Sequence, residues 1–239
     1  MGLKSEQSPQ RESWCAQVVT LFPRAFPGAL GESVIGKALH EGLWQLSTVN
    51  LRLFGEGRHL NVDDTPAGGG AGMVLRADVM GRAIEAALEN AKPGMSLVHL
   101  SPRGKRFDQM MARRWSNSPG ITLICGRFEG IDQRVIEHYG IEEVSLGDFV
   151  MTGGEIAAMA MLDATVRLIP GVLGNQTSID DESFSEGLLE HPQYTRPVEW
   201  KGHLIPDVLL SGHHGEIKKW RKEMGKETTR KNRPDLLEK

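Results

Sequence analysis

The sequence predicts an α/β protein with a mainly parallel sheet. From Trp14 to Leu168 short apolar runs rich in β-branched residues alternate with segments of helical spacing, and three successive runs open into turns rich in glycine or containing proline. After Pro170-Gly171-Val172-Leu173-Gly174 the texture becomes polar and acidic, so the alternating pattern stops there.

The elements follow in order. Trp14 to Leu21 reads as a strand, Val34 to Glu41 as a short helix and Leu46 to Leu53 as the next strand. Gly55 to Gly72 is too rich in glycine for regular structure and reads as a long polar loop, mobile unless a ligand or partner orders it. Asp78 to Asn90 has helical spacing through Val79, Ala83, Ala86 and Ala87. Ser96 to Leu100 is an apolar strand ending in Ser101-Pro102-Arg103-Gly104, and Phe107 to Trp115 is helical. Ile121 to Cys125 is a strand, Asp132 to Tyr139 a helix, Glu143 to Ser145 a short strand, and Gly154 to Leu168 the longest apolar helical pattern. The turns after the strands at Ser96, Ile121 and Glu143 would all open on the carboxyl edge of the sheet, where open α/β sheets bind ligands.

Size and composition bound the rest. A chain of 239 residues accommodates a large domain with a smaller appendage. Met1 to Ser13 reads as a disordered tail, 14–174 as the main domain, 175–190 as an acidic linker, and 191–239 as a small, mainly helical second domain with a basic end. No apolar run approaches the roughly 20 residues of a membrane span, and the polar start lacks a secretory h-region, which predicts a cytoplasmic protein. Cys15 and Cys125 form no CxxC pair or zinc set, so disulfide and zinc scaffolds are not expected. The net charge of −3 hides an uneven distribution, with Lys218 to Arg233 rich in Lys and Arg, so an RNA partner is compatible with it.

Several motifs dissolve on inspection. Gly31-Glu32-Ser33-Val34-Ile35-Gly36-Lys37-Ala38 nearly matches a P-loop, but Ala38 replaces the hydroxyl residue and Phe22 to Leu30 is a poor strand. Gly68 and Gly70 would need a glycine at Met73 to make a dinucleotide fingerprint. His213 and His214 are adjacent and point apart on any regular element, which favours a loop or cap role over a metal pair. Trp220 among Lys218, Lys219, Arg221 and Lys222 reads first as the core-facing side of an amphipathic helix.

What remains is Ile121 to Glu155, with Cys125-Gly126-Arg127-Phe128-Glu129-Gly130 and Ser145-Leu146-Gly147-Asp148-Phe149-Val150-Met151-Thr152-Gly153-Gly154-Glu155. Glycine lets backbone amides and carbonyls approach a bound molecule, so these turns suit a ligand held through the main chain. Asp163 and Arg167 lie four apart on one face of the apolar helix and can pair.

With Asp64-Thr65-Pro66-Ala67-Gly68-Gly69-Gly70-Ala71-Gly72-Met73, Leu100-Ser101-Pro102-Arg103-Gly104, Ile169-Pro170-Gly171-Val172-Leu173-Gly174, Tyr194-Thr195-Arg196-Pro197 and Leu210-Ser211-Gly212-His213-His214, these segments resemble, in order and over nearly the whole chain, the bacterial tRNA (guanine-N1)-methyltransferase family. That family methylates guanosine 37 beside the anticodon and so preserves reading frame. The resemblance implies a SPOUT-type fold whose parallel sheet carries a deep trefoil knot, a homodimer with sites at the subunit interface, and a tRNA-binding second domain. It implies S-adenosylmethionine as cofactor, held by Leu100, Ser101 and Pro102, by Gly126, Phe128, Glu129 and Gly130, and by Ser145, Leu146, Gly147, Asp148, Phe149, Val150, Met151, Gly153 and Gly154. It also implies dependence on Mg2+, for which no octahedral ligand set is readable.

The family's catalytic acid, which precedes a Ser-Phe pair, falls on Glu182 before Ser183-Phe184, with Asp181 as the neighbouring alternative; its arginine falls on Arg167. Guanine N1 methylation needs a base for the N1 proton and stabilisation of the charge developing at O6, for which a carboxylate and an arginine suffice. Ala67 and Phe128 stand where relatives often carry Tyr. Each removes a hydroxyl and leaves the glycine framework intact.

Overall fold

Alternation along β1, Trp14–Thr20, sends Ala16 and Val18 to one face of the sheet and Val19 to the other, and each face carries its own apolar cluster. A computed structural model describes residues 12–174, 183–184 and 187–238. The chain divides into two compact units, 1–174 and 175–239.

In the first unit β1 is followed by α1 (Ser33–His40), β2 (Trp44–Asn50), the short β3 (Asp63–Asp64) and β4 (Val74–Leu75), and α2 (Ala77–Leu88). Then come β5 (Ser96–Arg106), α3 (Gln109–Ser116), β6 (Gly120–Cys125), α4 (Gln133–Tyr139), β7 (Glu142–Ser145) and α5 (Glu155–Val166). The sheet has five strands in the order β2-β1-β6-β5-β7, and every neighbouring pair is parallel.

Helices cover both faces. Ile35 and Ala38 of α1, Trp115 of α3 and Met161, Leu162 and Val166 of α5 pack with Val18, Leu123 and Val144 on one side; Val79, Ala83 and Ile84 of α2 and Val135 and Ile136 of α4 pack with Val19 and Ile124 on the other. Complete burial of an aliphatic side chain stabilises by about 1.5–3 kcal/mol, so these clusters hold the layers together. Polar groups inside are mostly paired: the Thr122 hydroxyl donates to Gln17 Oε1 at 2.9 Å between β6 and β1, and the Trp14 and Trp44 indoles donate to the carbonyls of Trp115 and Ile35, each at 3.0 Å.

The structure corrects three boundaries. The second strand is shifted towards Trp44, and Leu51–Phe54 forms a 3-10 turn capped by the Asn50 side chain. The helix expected from Phe107 begins at Gln109, because Asp108 accepts the Met111 N–H at 2.8 Å and caps it. Most consequential is β5, which does not end at Leu100. Leu100 and Lys105 both register against Val144, so Ser101-Pro102-Arg103-Gly104 leaves the ladder and the strand then resumes through Arg106.

The near-P-loop has no strand before it: 3-10 turns at Pro23–Ala25 and Gly28–Gly31 occupy that stretch. In the second unit a hairpin of β8 (Glu199–Trp200) and β9 (His203–Leu204), absent from the sequence reading, precedes α6 (Asp207–Leu210) and α7 (His214–Asn232). Trp220 is half-buried beside the rings of His191 and Tyr194, and the Thr229 hydroxyl, fully buried, accepts the Leu189 N–H at 2.9 Å.

Candidate functional site: a main-chain cleft at the strand ends

The excursion from β5, the turn after β6 and the turn after β7 come together at the carboxyl edge of the sheet, where they line a cleft enclosing about 360 Å³. Pockets of about 300–1,000 Å³ hold small-molecule ligands. All the residues that the family resemblance assigns to the cofactor line this cleft except Asp148, whose side chain is 90% exposed and faces Arg106 at 3.8 Å. Leu146, Val150 and Met151 supply apolar wall, and the glycines supply bare backbone.

Close approaches explain why glycine stands at several of these positions. A Cβ on Gly154 would lie 2.9 Å from the Cα of Cys125, and one on Gly104 would lie 2.3 Å from the backbone of Glu143. Phe128 adopts φ 59°, so the turn after β6 holds a non-glycine residue in the left-handed region. Such conformations cost about 1–3 kcal/mol and persist where their surroundings impose them.

The glycine loop before β4 joins this edge. The Glu129 N–H donates to Met73 O at 2.9 Å and the Leu75 N–H to Gly130 O at 3.0 Å, while a Cβ on Gly72 would fall 2.5 Å from Glu129 Oε1.

Two polar networks lie around the cleft. The imidazole of His99, buried in β5, has Nδ1 3.3 Å from Glu143 Oε1, and Arg103 donates to the same oxygen at 3.0 Å. Burial holds the His99 pKa below its ordinary value, against the pull of Glu143. In the second network Arg127 donates to Glu155 Oε2 at 2.8 Å and to Thr152 O at 3.1 Å, and the Thr20 hydroxyl donates to Glu155 Oε1 at 2.7 Å. Burial pushes the Cys125 thiol well above its ordinary pKa, assisted by Glu155, so it is not poised as a nucleophile at neutral pH.

Arg167 is placed elsewhere. It follows the last residue of α5, whereas Gly154 and Ala157 at the opposite end of that helix line the cleft. At 1.5 Å per residue the two ends stand about 18 Å apart, beyond an arginine's reach. Its backbone N–H donates to Asp163 O at 3.2 Å. Glu182 and Asp181 lie outside the described residues. His213 caps α7 and His214 opens it, both exposed, and among the described residues no group of three or more His, Cys, Asp or Glu side chains is arranged to hold a metal. Among those residues, too, no helix is long and apolar enough to cross a membrane.

The sequence reading missed His99, Arg127 and Glu155 as members of the site's framework. Arg127 and Glu155 sit inside the glycine turns, but nothing in their spacing paired them.

An α/β protein with a main-chain-lined ligand cleft at the carboxyl edge of a parallel sheet is the class these features define. The chain belongs to the tRNA (Guanine-1)-methyltransferase TrmD family, whose family model matches residues 15–239. It is 67% identical over 223 residues to the tRNA (guanine-N(1)-)-methyltransferase of Ruegeria sp. (strain TM1040), covering 93% of this chain and 91% of that protein. It is 63% identical over 227 residues to the protein of that name from Cereibacter sphaeroides (strain ATCC 17023), covering 94% and 91%. With its namesake from Brucella melitensis biotype 1 it shares 54% identity over 232 residues, covering 96% and 95%.

Proposed function

We propose that this chain transfers a methyl group from S-adenosylmethionine to N1 of guanosine 37 in tRNA. The observation that carries the reading is the cleft itself: its size, its glycine backbone and its apolar wall fit a nucleoside-bearing cofactor, and it lies at the turns where the family resemblance implies that cofactor. When bound, S-adenosylmethionine supplies an electrophilic methyl group on a sulfonium.

The protein's task is then to place and activate guanine. Its N1 carries a proton at neutral pH, so Glu182, or Asp181 beside it, would accept that proton while Arg167 donates a hydrogen bond to O6 as negative charge builds there. Arg167 stands about 15 Å along α5 from Ala157, the cleft residue farthest along that helix. That separation supports a homodimer in which each Arg167 serves the partner's cleft.

The acidic linker, 175–190, would close over a flipped-out base and bring Glu182 into place only when RNA is bound. The C-terminal segment 191–239, with its lysine- and arginine-rich α7, is the tRNA-binding domain on this reading. The excursion of β5 and the turns after β6 and β7 would be the threaded loops of a trefoil knot. Mg2+ belongs to the proposal through the family resemblance, with no ligands assigned, and the enzyme would act in the cytoplasm.

Incubation with S-adenosylmethionine and an unmodified tRNA transcript, followed by nuclease digestion and mass spectrometry, tests the activity. The expected product is 1-methylguanosine; its absence from an active cofactor-binding preparation would overturn the proposal.

A further inference from the structure

Glu155, 4% exposed, is the most deeply buried acidic residue among the described residues, and both of its carboxylate oxygens are engaged by groups from different strand ends. Oε1 accepts the Thr20 hydroxyl from the end of β1, and Oε2 accepts Arg127 from the turn after β6. Glu155 itself opens α5, so its carboxylate sits at the positive end of the helix dipole, close to the backbone of the glycine turn that precedes it.

Each partner is held in turn. The Thr20 oxygen also accepts the Phe22 N–H at 2.9 Å, and the Arg127 guanidinium lies over the Phe22 ring, 4.4 Å from its centroid. Arg127 donates a further bond to Thr152 O, and its backbone bridges that of Gly153. One arginine and one glutamate therefore tie together β1, the turn at 126–130 and the turn at 152–155. Two of these three segments are walls of the cleft.

We propose that Arg127 and Glu155, with Thr20 as third member, form a positioning clamp that fixes the spacing of the two glycine turns and thereby sets cofactor affinity. The inference rests on the reading of the cleft as the S-adenosylmethionine site. Neither side chain needs to touch the cofactor: the glycine backbones make the contacts, and glycine turns without an external tie have many conformations to lose on binding. A clamp that orders them beforehand removes that cost. Fold stability alone would not require three separate segments to converge on one carboxylate beside a ligand cleft.

Titration of full-length protein with S-adenosylhomocysteine, together with steady-state methylation, separates the possibilities. Glu155→Gln and Arg127→Gln should each weaken S-adenosylhomocysteine binding at least tenfold, with the loss falling on KM for S-adenosylmethionine rather than on kcat. The double variant should bind no more than about threefold worse than either single one, since a broken clamp cannot be broken twice. Arg127→Lys, which keeps the charge but not the two-pronged donation, should recover part of the affinity.

Unchanged affinity in the single variants, additive losses in the double, or equal losses in kcat and in KM for both substrates would overturn the clamp. Should Glu155→Gln fail to fold, Arg127→Lys and Arg127→Gln, at a side chain 25% exposed, carry the same comparison. If the unmodified protein binds no S-adenosylhomocysteine, the assignment of the cleft falls and the clamp falls with it; if it binds and the variants bind equally well, the clamp alone falls.

Discussion

The Cα of Gly126 packs against the imidazole of His99: a Cβ added there would lie 2.7 Å from Nε2. The ring is 2% exposed and its Nδ1 is held by Glu143, so it has no room to retreat. Gly126→Ala should therefore cost about 1–3 kcal/mol of stability through overpacking and deform the floor of the cleft. Urea denaturation and S-adenosylhomocysteine titration should both register the change, and an unaltered affinity would show that the cleft tolerates a shifted floor.

His99 also predicts a pH dependence. Burial keeps its folded pKa below the ordinary 6.5, outweighing the opposing effect of Glu143. In the interval beneath 6.5 the unfolded state then binds more protons than the folded state, so the stabilisation is full above 6.5 and is lost as pH falls through that interval. One proton limits the slope to about 1.4 kcal/mol per pH unit. For Glu143, burial pushes the carboxyl up, but Arg103 and His99 more than offset this, so its own contribution is lost only below 4.5. Denaturation midpoints of the wild type should fall as pH drops below 6.5, and His99→Phe should flatten that part of the curve.

Gly104 marks where β5 returns to the sheet. A Cβ there would lie 2.3 Å from Glu143 C and Val144 N, backbone atoms that cannot rotate away. Gly104→Ala should separate the second stretch of β5–β7 pairing while the rest of the sheet holds. Hydrogen exchange should show faster exchange for the amides of β7 and little change in β1 and β6; uniform exchange across all strands would contradict this local reading.

The chemistry and the cofactor site are separable on the proposed mechanism. Glu182→Gln should reduce the single-turnover methylation rate by about 10²–10⁴-fold, and Arg167→Ala should also reduce it, with S-adenosylhomocysteine affinity nearly intact in both. Wild-type rates would refute the assignment, and loss of activity confined to Asp181→Asn would move the base by one residue.

What could be read in the sequence was local. Apolar runs at Trp14 to Leu21 and Ile121 to Cys125 and helical spacing at Asp78 to Asn90 pointed to the elements, and the glycine turns pointed to the cleft. The return of β5 was hidden because Ser101-Pro102-Arg103-Gly104 carries turn chemistry, and a proline without an N–H ordinarily ends a ladder. Resumption at Lys105 depends on Gly104 lying against β7, a contact no local pattern encodes. The β8–β9 hairpin escaped because two-residue strands show no alternation; Lys201-Gly202, at φ 51° and 82°, was its only local mark. Arg127 and Glu155 are 28 residues apart, and only the parallel order β1-β6-β5 brings their turns to one edge.

The proposed reaction is methyl transfer to N1 of guanosine 37. Its most direct test is methyl transfer to paired tRNA transcripts, one with guanosine at position 37 and one with that nucleotide replaced, with the product mapped by primer extension. A block at position 37 is expected in the first transcript and no methylation in the second; undiminished methylation of the second would overturn the assignment of the target nucleotide.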